Sequence, residues 1–330
     1  MRGSSRAALR LKRVIPPVLT VLLILLLLRR IGISELSRAL RGICPLNLLC
    51  ALMIDLPFVM VKSYKWRRMG RVGGIEMGFG EAVGSFLIGV GGALFTPAQL
   101  GELARVVVFK GDRKKALILA FLDKVIDLSG LCFLFLLSML YLHRRAGMIL
   151  GMGGLIALIT FAIWLKRGTG DGGQETGRRN IRFPVSGLLS PSKFSQFAFR
   201  NSKLAFPRSF FFLQLLLSLT WFGMLMLQFW VILLDFSKVR FVDVVVGLPV
   251  ILVGSMLPVS LSGLGIREMV ASLVLPRFGI DQAQAAISSS LLFLINSFIP
   301  GTVGIALLGK WEVEAQLTEK RKSGIINSEI

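Results

Sequence analysis

The sequence has few of the residues that ligate metals or carry nucleophilic catalysis. Its 330 residues include one histidine and three cysteines, and the cysteines form no C-x-x-C pair. A histidine-ligated metal site or a Ser-His-Asp triad therefore has almost no material. No Walker motif is present either. We expect no metal, no cofactor and no catalytic residue.

Acidic residues are also scarce. The chain has 18 Asp and Glu against 39 Lys and Arg, for a net charge of +21. A charge of this sign is typical of nucleic-acid-binding proteins, but here it lies in short segments between apolar runs. That distribution follows the positive-inside rule and favours contact with anionic headgroups. We therefore expect membrane lipids as partners and no nucleic acid.

What the sequence has in abundance is apolar residues. They make up 54% of the chain, and mean hydropathy is +0.73, beyond the usual values for soluble domains. About 20 apolar residues cross the hydrocarbon core. We predict an all-α integral membrane protein, a polytopic helical bundle with about six full spans, the first of them an uncleaved signal anchor. The predicted spans are 14–28, 43–61, 116–141, 147–165, 209–234 and 283–308.

Two further apolar segments, near 75–110 and 241–275, are interrupted in the same way. Each has an apolar helix, a Pro/Gly break, a Glu/Arg pair and a second segment too short to span. Matching interruptions indicate a transporter binding site built from an inverted repeat. We read them as re-entrant helix pairs, although a full crossing at 75–95 would change this. The residues predicted to form the breaks are Pro97, Gly101, Pro258, Gly263 and Gly265.

The charge distribution then gives a domain plan. Residues 1–165 form the first membrane half, 166–208 a basic cytoplasmic linker, 209–309 the second half and 310–330 a polar cytoplasmic tail. The linker contains either a short interfacial helix or a plain basic loop. With both broken segments re-entrant, most of the 39 Lys and Arg residues, including a basic loop at 62–73, lie on one side. This places both termini in the cytoplasm of a cell-membrane protein.

Ionisable residues inside the apolar runs are the candidate site. Each costs about 2.5–3.5 kcal/mol at membrane depth, so it is functional by default. The simpler alternative is that these residues form internal ion pairs that hold the bundle together. For the lone carboxyl of Asp55, the simpler alternative is a local helix cap. By helical spacing Glu102 can pair with Arg105 and Lys124 with Asp127, whereas Arg267 and Glu268 each need another partner. The candidates are Glu102, Arg105, Asp123, Lys124, Asp127, Arg267 and Glu268.

The broken segments carry a family resemblance. Residues 96–105 contain P-x-x-x-G-E-x-x-R, residues 123–127 read D-K-V-I-D, and residues 257–268 contain P-x-S-x-x-G-L-G-x-R-E. In this order and spacing they resemble the lysylphosphatidylglycerol synthase transmembrane region, or flippase-like family, across nearly the whole chain. Lys124 stands where that family usually has Arg, which removes the bidentate geometry of a guanidinium.

The resemblance implies a lipid-binding transporter that moves or presents an anionic phospholipid or lipid-linked substrate. No C-terminal soluble domain, which performs aminoacyl transfer in the bifunctional synthases, is apparent, so synthase activity is not expected. Two alternatives stay open: a membrane-embedded transferase with acidic pairs as acid and base, and an accessory subunit of a separate synthase or glycosyltransferase. Homo-oligomerisation is also left open.

Overall fold

The structure is a computed structural model that describes residues 33–96, 99–108, 113–142 and 208–309, with isolated positions between 22 and 29. The signal anchor, the predicted span 147–165, most of the linker and the tail lie outside these residues. The helices are α1 (Ile33–Arg41), α2 (Pro45–Val72), α3 (Phe79–Leu94), a 3-10 helix (Leu100–Val108), α4 (Arg113–Leu142), α5 (Arg208–Leu233), α6 (Phe241–Ser255), α7 (Ile266–Val274), a 3-10 turn (Leu275–Phe278) and α8 (Gln282–Phe293).

Four helices are long and apolar enough to cross a membrane. They are Pro45–Val72, Lys115–Leu142, Ser209–Leu233 and Gln282–Gly309. The last is α8 with its continuation, which passes through a π-helical turn at Leu294–Phe298. A helix of 28 residues is about 42 Å long, which exceeds the hydrocarbon thickness of about 30 Å. The predicted all-α membrane bundle is confirmed.

Helix α2 has one face for lipid and one for the protein. Its inner face buries Asp55, Lys65 and Trp66. The predicted basic loop after residue 61 is wrong, because α2 continues to Val72 and makes Lys62 and Lys65 part of a packed helix. The exposed apolar residues of its outer face are Leu46, Leu49, Met53, Leu56 and Met60.

Each broken segment folds back on itself as a hairpin of two short helices. In the first, the 3-10 helix packs along α3 so closely that a Cβ on Gly92 would lie 2.5 Å from the carbonyl oxygen of Gly101. In the second, α7 packs along α6, where a Cβ on Gly254 would lie 2.8 Å from Val270 Cγ2. Small residues permit this contact, as is usual between membrane helices.

The two breaks contact each other directly. The backbone N–H of Ser262, in the second break, donates to the carbonyl oxygen of Thr96, in the first, over 3.2 Å. Gln99 and Ser262 have φ values of 55° and 51°, and they are the non-glycine residues with positive φ in the described part of the chain. Strained backbone of this kind clusters at functional sites. Each break thus contains one such residue, and a hydrogen bond joins the two breaks.

Candidate functional site

A cavity of about 130 Å³ lies between the two breaks. The first break contributes Gln99 and Glu102 to its wall, and the second contributes Ser262 and Arg267. Since one water molecule needs about 10–15 Å³ measured in this way, the cavity has room for several waters or for a small polar group. Irregular backbone at membrane depth is tolerated where it lines such a space.

The cavity wall combines charge with aromatic surface. Trp221 provides a ring face, and the Nζ of Lys62 lies 3.7 Å from its centroid, within cation–π range. Phe58, Phe222 and Phe293 add further apolar surface. The charged lining residues are Lys62, Glu102, Lys124, Asp127 and Arg267.

Asp127 is the acceptor at the centre of the first charged cluster. Its Oδ2 lies 2.9 Å from Lys62 Nζ, and its Oδ1 pairs with Lys65. Ser218 Oγ and Trp221 Nε1 also donate to Oδ1, at 2.7 Å and 3.1 Å. The carboxylate therefore joins α2 to α4 and α5, and its charge is fully compensated.

Asp123 lies one helical turn before Asp127 on α4. It forms ion pairs with two cations, Lys65 and Arg105. Lys65 Nζ is 2.8 Å from its Oδ1, and Arg105 Nη1 is 2.8 Å from its Oδ2. Arg105 also donates to the carbonyl oxygen of Ala120 at 2.9 Å and lies over the ring of Trp66 at 4.2 Å. Arg105 is absent from the cavity lining among the described residues, so its guanidinium supports the wall from behind.

Glu102 and Lys124 form the most accessible ion pair of the site. Their atoms are 2.8 Å apart, and each side chain is 24% exposed. The predicted pairs Glu102–Arg105 and Lys124–Asp127 are wrong, because α4 lies beside the 3-10 helix and presents Asp123 to Arg105 and Lys124 to Glu102. Each of these charged residues therefore pairs with a residue on the facing helix and not with a neighbour on its own helix.

Arg267 and Glu268 form the charged cluster of the second break. Arg267 Nη2 lies 2.9 Å from Glu268 Oε1, so the two neighbours do not point apart as expected, although each has the further partner that was expected. Both also bind elsewhere: Arg267 Nε donates to Ser289 Oγ at 3.2 Å, and Glu268 Oε2 accepts from the N–H of Gly265 at 2.7 Å. The guanidinium lies 4.5 Å from the ring centroid of Phe293.

The predicted break residues act through backbone geometry. A Cβ on Gly101 would collide with the backbone of Gly92, and Gly263, at φ 77°, would bring a Cβ to 2.7 Å from the carbonyl oxygen of Ser255. Pro258 lies in the turn between α6 and α7, and Pro97 lies outside the described residues.

The amides at the two helix starts already have acceptors. The N–H of Gly101 donates to Thr96 Oγ1 at 2.7 Å, and the N–H of Gly265 donates to Glu268. An anion in the cavity would therefore meet lysine and arginine side chains first, and helix ends second.

Two cations of the site were missed at the sequence level. Lys62 and Lys65 looked like loop residues that follow a span. The signal was a helical spacing that continues past the apolar run, since Asp55, Phe58, Lys62, Lys65 and Met69 recur every three or four residues and share one face. All but Lys62 are buried.

Comparison with known proteins agrees with this organisation. The family model described as the lysylphosphatidylglycerol synthase TM region matches residues 13–304. The matched range contains both breaks, both charged clusters and the cavity. No curated protein matches the chain.

Proposed function

From the premise that this chain belongs to the lysylphosphatidylglycerol synthase TM region family, we propose that it is a flippase-like transporter that binds an anionic phospholipid or a lipid-linked substrate. The lipid headgroup enters the cavity between the breaks, and the acyl chains stay in the bilayer. Family membership and the long apolar helices make the chain a multi-pass membrane protein with a lipid-related role. We place it in the cell membrane with both termini in the cytoplasm.

The charge balance of the site carries this proposal. Charges inside a membrane protein are expensive unless they are paired, yet among the described residues that line the cavity the cations outnumber the carboxylates by one. A phosphodiester has a single negative charge and would complete the balance. The lining cations are Lys62, Lys124 and Arg267, and the lining carboxylates are Glu102 and Asp127.

The cations have different tasks in this proposal. Lys124 and Arg267 line the cavity and would contact the phosphate oxygens, with Lys62 at the aromatic wall. Lys124 acts as a point charge, because an ammonium offers no planar fork. Lys65 and Arg105 hold Asp123 and Asp127, and so position Lys62 and the cavity wall.

The pair Glu102–Lys124 provides a way for the phosphate to bind. It is the most exposed ion pair of the cavity, with each side chain 24% exposed, so an incoming anion reaches it more easily than the buried pairs at Asp123 and Asp127. The phosphate would take the place of the Glu102 carboxylate against Lys124, and Glu102 would return when the lipid leaves.

The test is a comparison of two variants that break the same ion pair. Lys124→Met should slow the movement of a headgroup-labelled anionic phospholipid in reconstituted vesicles roughly 10- to 100-fold, as a charge-assisted hydrogen bond of about 1.5–3 kcal/mol is lost. Glu102→Gln should keep movement near the wild-type rate, because Lys124 is still available. A membrane-impermeant quencher added outside the vesicles measures the labelled lipid in each leaflet.

Arg38→Met is the matched control. It breaks the exposed pair between Arg38 and Glu35, whose atoms are 2.9 Å apart on α1, and should leave lipid movement unchanged. Equal losses in Lys124→Met and Glu102→Gln would mean that the pair only braces the bundle, and the proposed phosphate contact would be wrong.

A further inference from the structure

Asp55 is a buried carboxyl group that the proposed lipid site does not use. The residue is 6% exposed, and its Oδ1 has no hydrogen-bond partner in the described part of the protein. The predicted local helix cap is wrong, because α2 begins at Pro45 and continues through Asp55 and Pro57 without interruption. The carboxyl group therefore needs another explanation.

A chain of amide groups contacts α2 one helical turn before Asp55. Ala51, one turn before Asp55 on the inner face of α2, accepts a hydrogen bond from Gln228 Nε2 over 2.7 Å. Asn296 Nδ2 donates to Gln228 Oε1 over 2.5 Å. Asn296 Oδ1 is a second buried oxygen without a partner among the described residues. Asp55 and this amide chain thus each have a buried oxygen without a partner, and the chain contacts α2 one turn from Asp55. We refer to Asp55, Gln228 and Asn296 as the polar layer.

No cation compensates Asp55 within the described helices. On α2 the next cation is Lys62, two turns away and paired with Asp127. The helix Gln282–Gly309 contains no ionisable residue, and none of the groups on the other packed elements forms an ion pair with Asp55. Those groups are Glu81 of α3, Asp123, Lys124 and Asp127 of α4 and Asp235 after α5, while Lys115 Nζ lies next to Gly74, beyond the end of α2.

The backbone around Asn296 is also unusual. The residue lies in the π-helical turn Leu294–Phe298, and single π turns inside α-helices are frequent at functional sites. Asn296 lines the cavity, and so does Phe58, one turn from Asp55 on α2. Because Asn296 belongs both to the cavity wall and to the polar layer, a small ion in the cavity can reach the polar layer directly.

We propose that Asp55, together with the amide oxygens of Gln228 and Asn296, binds a monovalent cation, either H⁺ or Na⁺. Burial of an uncompensated carboxylate inside the bundle costs free energy, and a bound cation lowers that cost. A proton on Asp55 would donate a hydrogen bond to an unsatisfied oxygen, and Na⁺ would use the oxygens directly, as at the midplane sites of other transporters. The role of this site in coupling cation movement to lipid movement rests on the proposed function. Cation binding itself does not depend on that function.

The experiment measures cation binding on the purified full chain, without any lipid movement. In the proton arm, infrared spectra at neutral pH should show the C=O band of a protonated carboxylic acid that Asp55→Asn removes. In the sodium arm, NaCl but not KCl should raise the melting temperature of the wild type and leave that of Asp55→Asn unshifted. The control Asp281→Asn, at an exposed helix N-cap where Asn serves as well as Asp, should behave like the wild type in both arms.

Either positive arm supports the site and identifies the cation. Overlapping spectra together with equal NaCl and KCl effects in the wild type and Asp55→Asn would overturn it. Asp55→Asn should melt at or above the wild-type temperature in KCl, since a neutral carboxamide resembles the protonated acid, and a large fall would also contradict the proposal. In vesicles, Asp55→Asn should lose the stimulation of lipid movement by the matching cation gradient. If the wild type moves no lipid and a binding arm is positive, the proposed function fails and the cation site stands.

Discussion

The replacement Asp127→Asn tests how strongly the first charged cluster holds the bundle together. Asparagine keeps the size of the side chain and an oxygen for Ser218 and Trp221, so the change removes mainly the negative charge. Lys65 keeps Asp123 as a partner, but Lys62 loses its ion-pair partner among the described residues.

The magnitude follows from burial. The side chains of Lys65 and Asp127 are 1% and 10% exposed, so their charges are screened poorly by solvent. Removal of one partner from a buried pair costs about 3–5 kcal/mol, because the other charge is left uncompensated. Exposed pairs contribute about 0–1 kcal/mol. We expect Asp127→Asn to lower the free energy of unfolding by about 3 kcal/mol, at the low end of the range because Lys62 is 13% exposed.

The assay is an SDS titration of the protein in mixed micelles, with the wild type, Asp127→Asn, Lys62→Met and the double variant measured side by side. If the loss arises from an uncompensated cation, the double variant should regain about 1–2 kcal/mol relative to the sum of the single losses, within the usual range for residues in contact. A loss below about 1 kcal/mol in Asp127→Asn, or strictly additive losses, would refute the reasoning.

Two further predictions concern topology and packing. In a cysteine-free background, Arg71→Cys and Arg277→Cys, both at exposed positions, should react with an impermeant thiol reagent from opposite sides of the membrane; reaction from the same side would contradict the inverted arrangement of the broken segments. Gly101→Ala should destabilise the protein by about 1–3 kcal/mol or more, because the methyl group meets the backbone of Gly92. Gly80→Ala, with no atom within 4 Å of the new Cβ, should be neutral or slightly stabilising, and equal effects at the two glycines would argue against close packing as the cause.

Much of the fold was predictable from local patterns. Long apolar runs gave helices such as α4 and α5, and the two breaks were visible because Pro, Gly and charged residues interrupt apolar sequence at corresponding places. These signals extend over only a few residues. The candidate charged residues, from Glu102 to Asp127 and at Arg267 and Glu268, could be identified in the same local way. Hence seven charged residues of the candidate site were predicted and two, Lys62 and Lys65, were not, and the roles of all of them in lipid binding stay a prediction.

The pairing of those charges was not predictable in the same way. Lys65 contacts Asp127 across 62 positions of the chain, and Ser218 contacts it across 91, so the partners depend on how helices cross. Spacing on one helix suggested the pair Glu102–Arg105, but the facing helix α4 brings Lys124 to Glu102 and Asp123 to Arg105. Lys62 and Lys65 were assigned to a loop because hydropathy falls before the helix ends.

The contact between the breaks explains why the interruptions occur in pairs. A Pro/Gly break in a membrane helix leaves backbone N–H and C=O groups without partners, and each such group costs several kcal/mol in lipid. Here the N–H of Ser262 in one break is satisfied by the carbonyl oxygen of Thr96 in the other, while Thr96 Oγ1 satisfies the N–H of Gly101. Without the first break, the N–H of Ser262 would lack this acceptor, whereas the N–H of Gly101 is satisfied within its own break. The first break therefore stabilises the second, and Ser262, which makes the contact, is also part of the cavity wall.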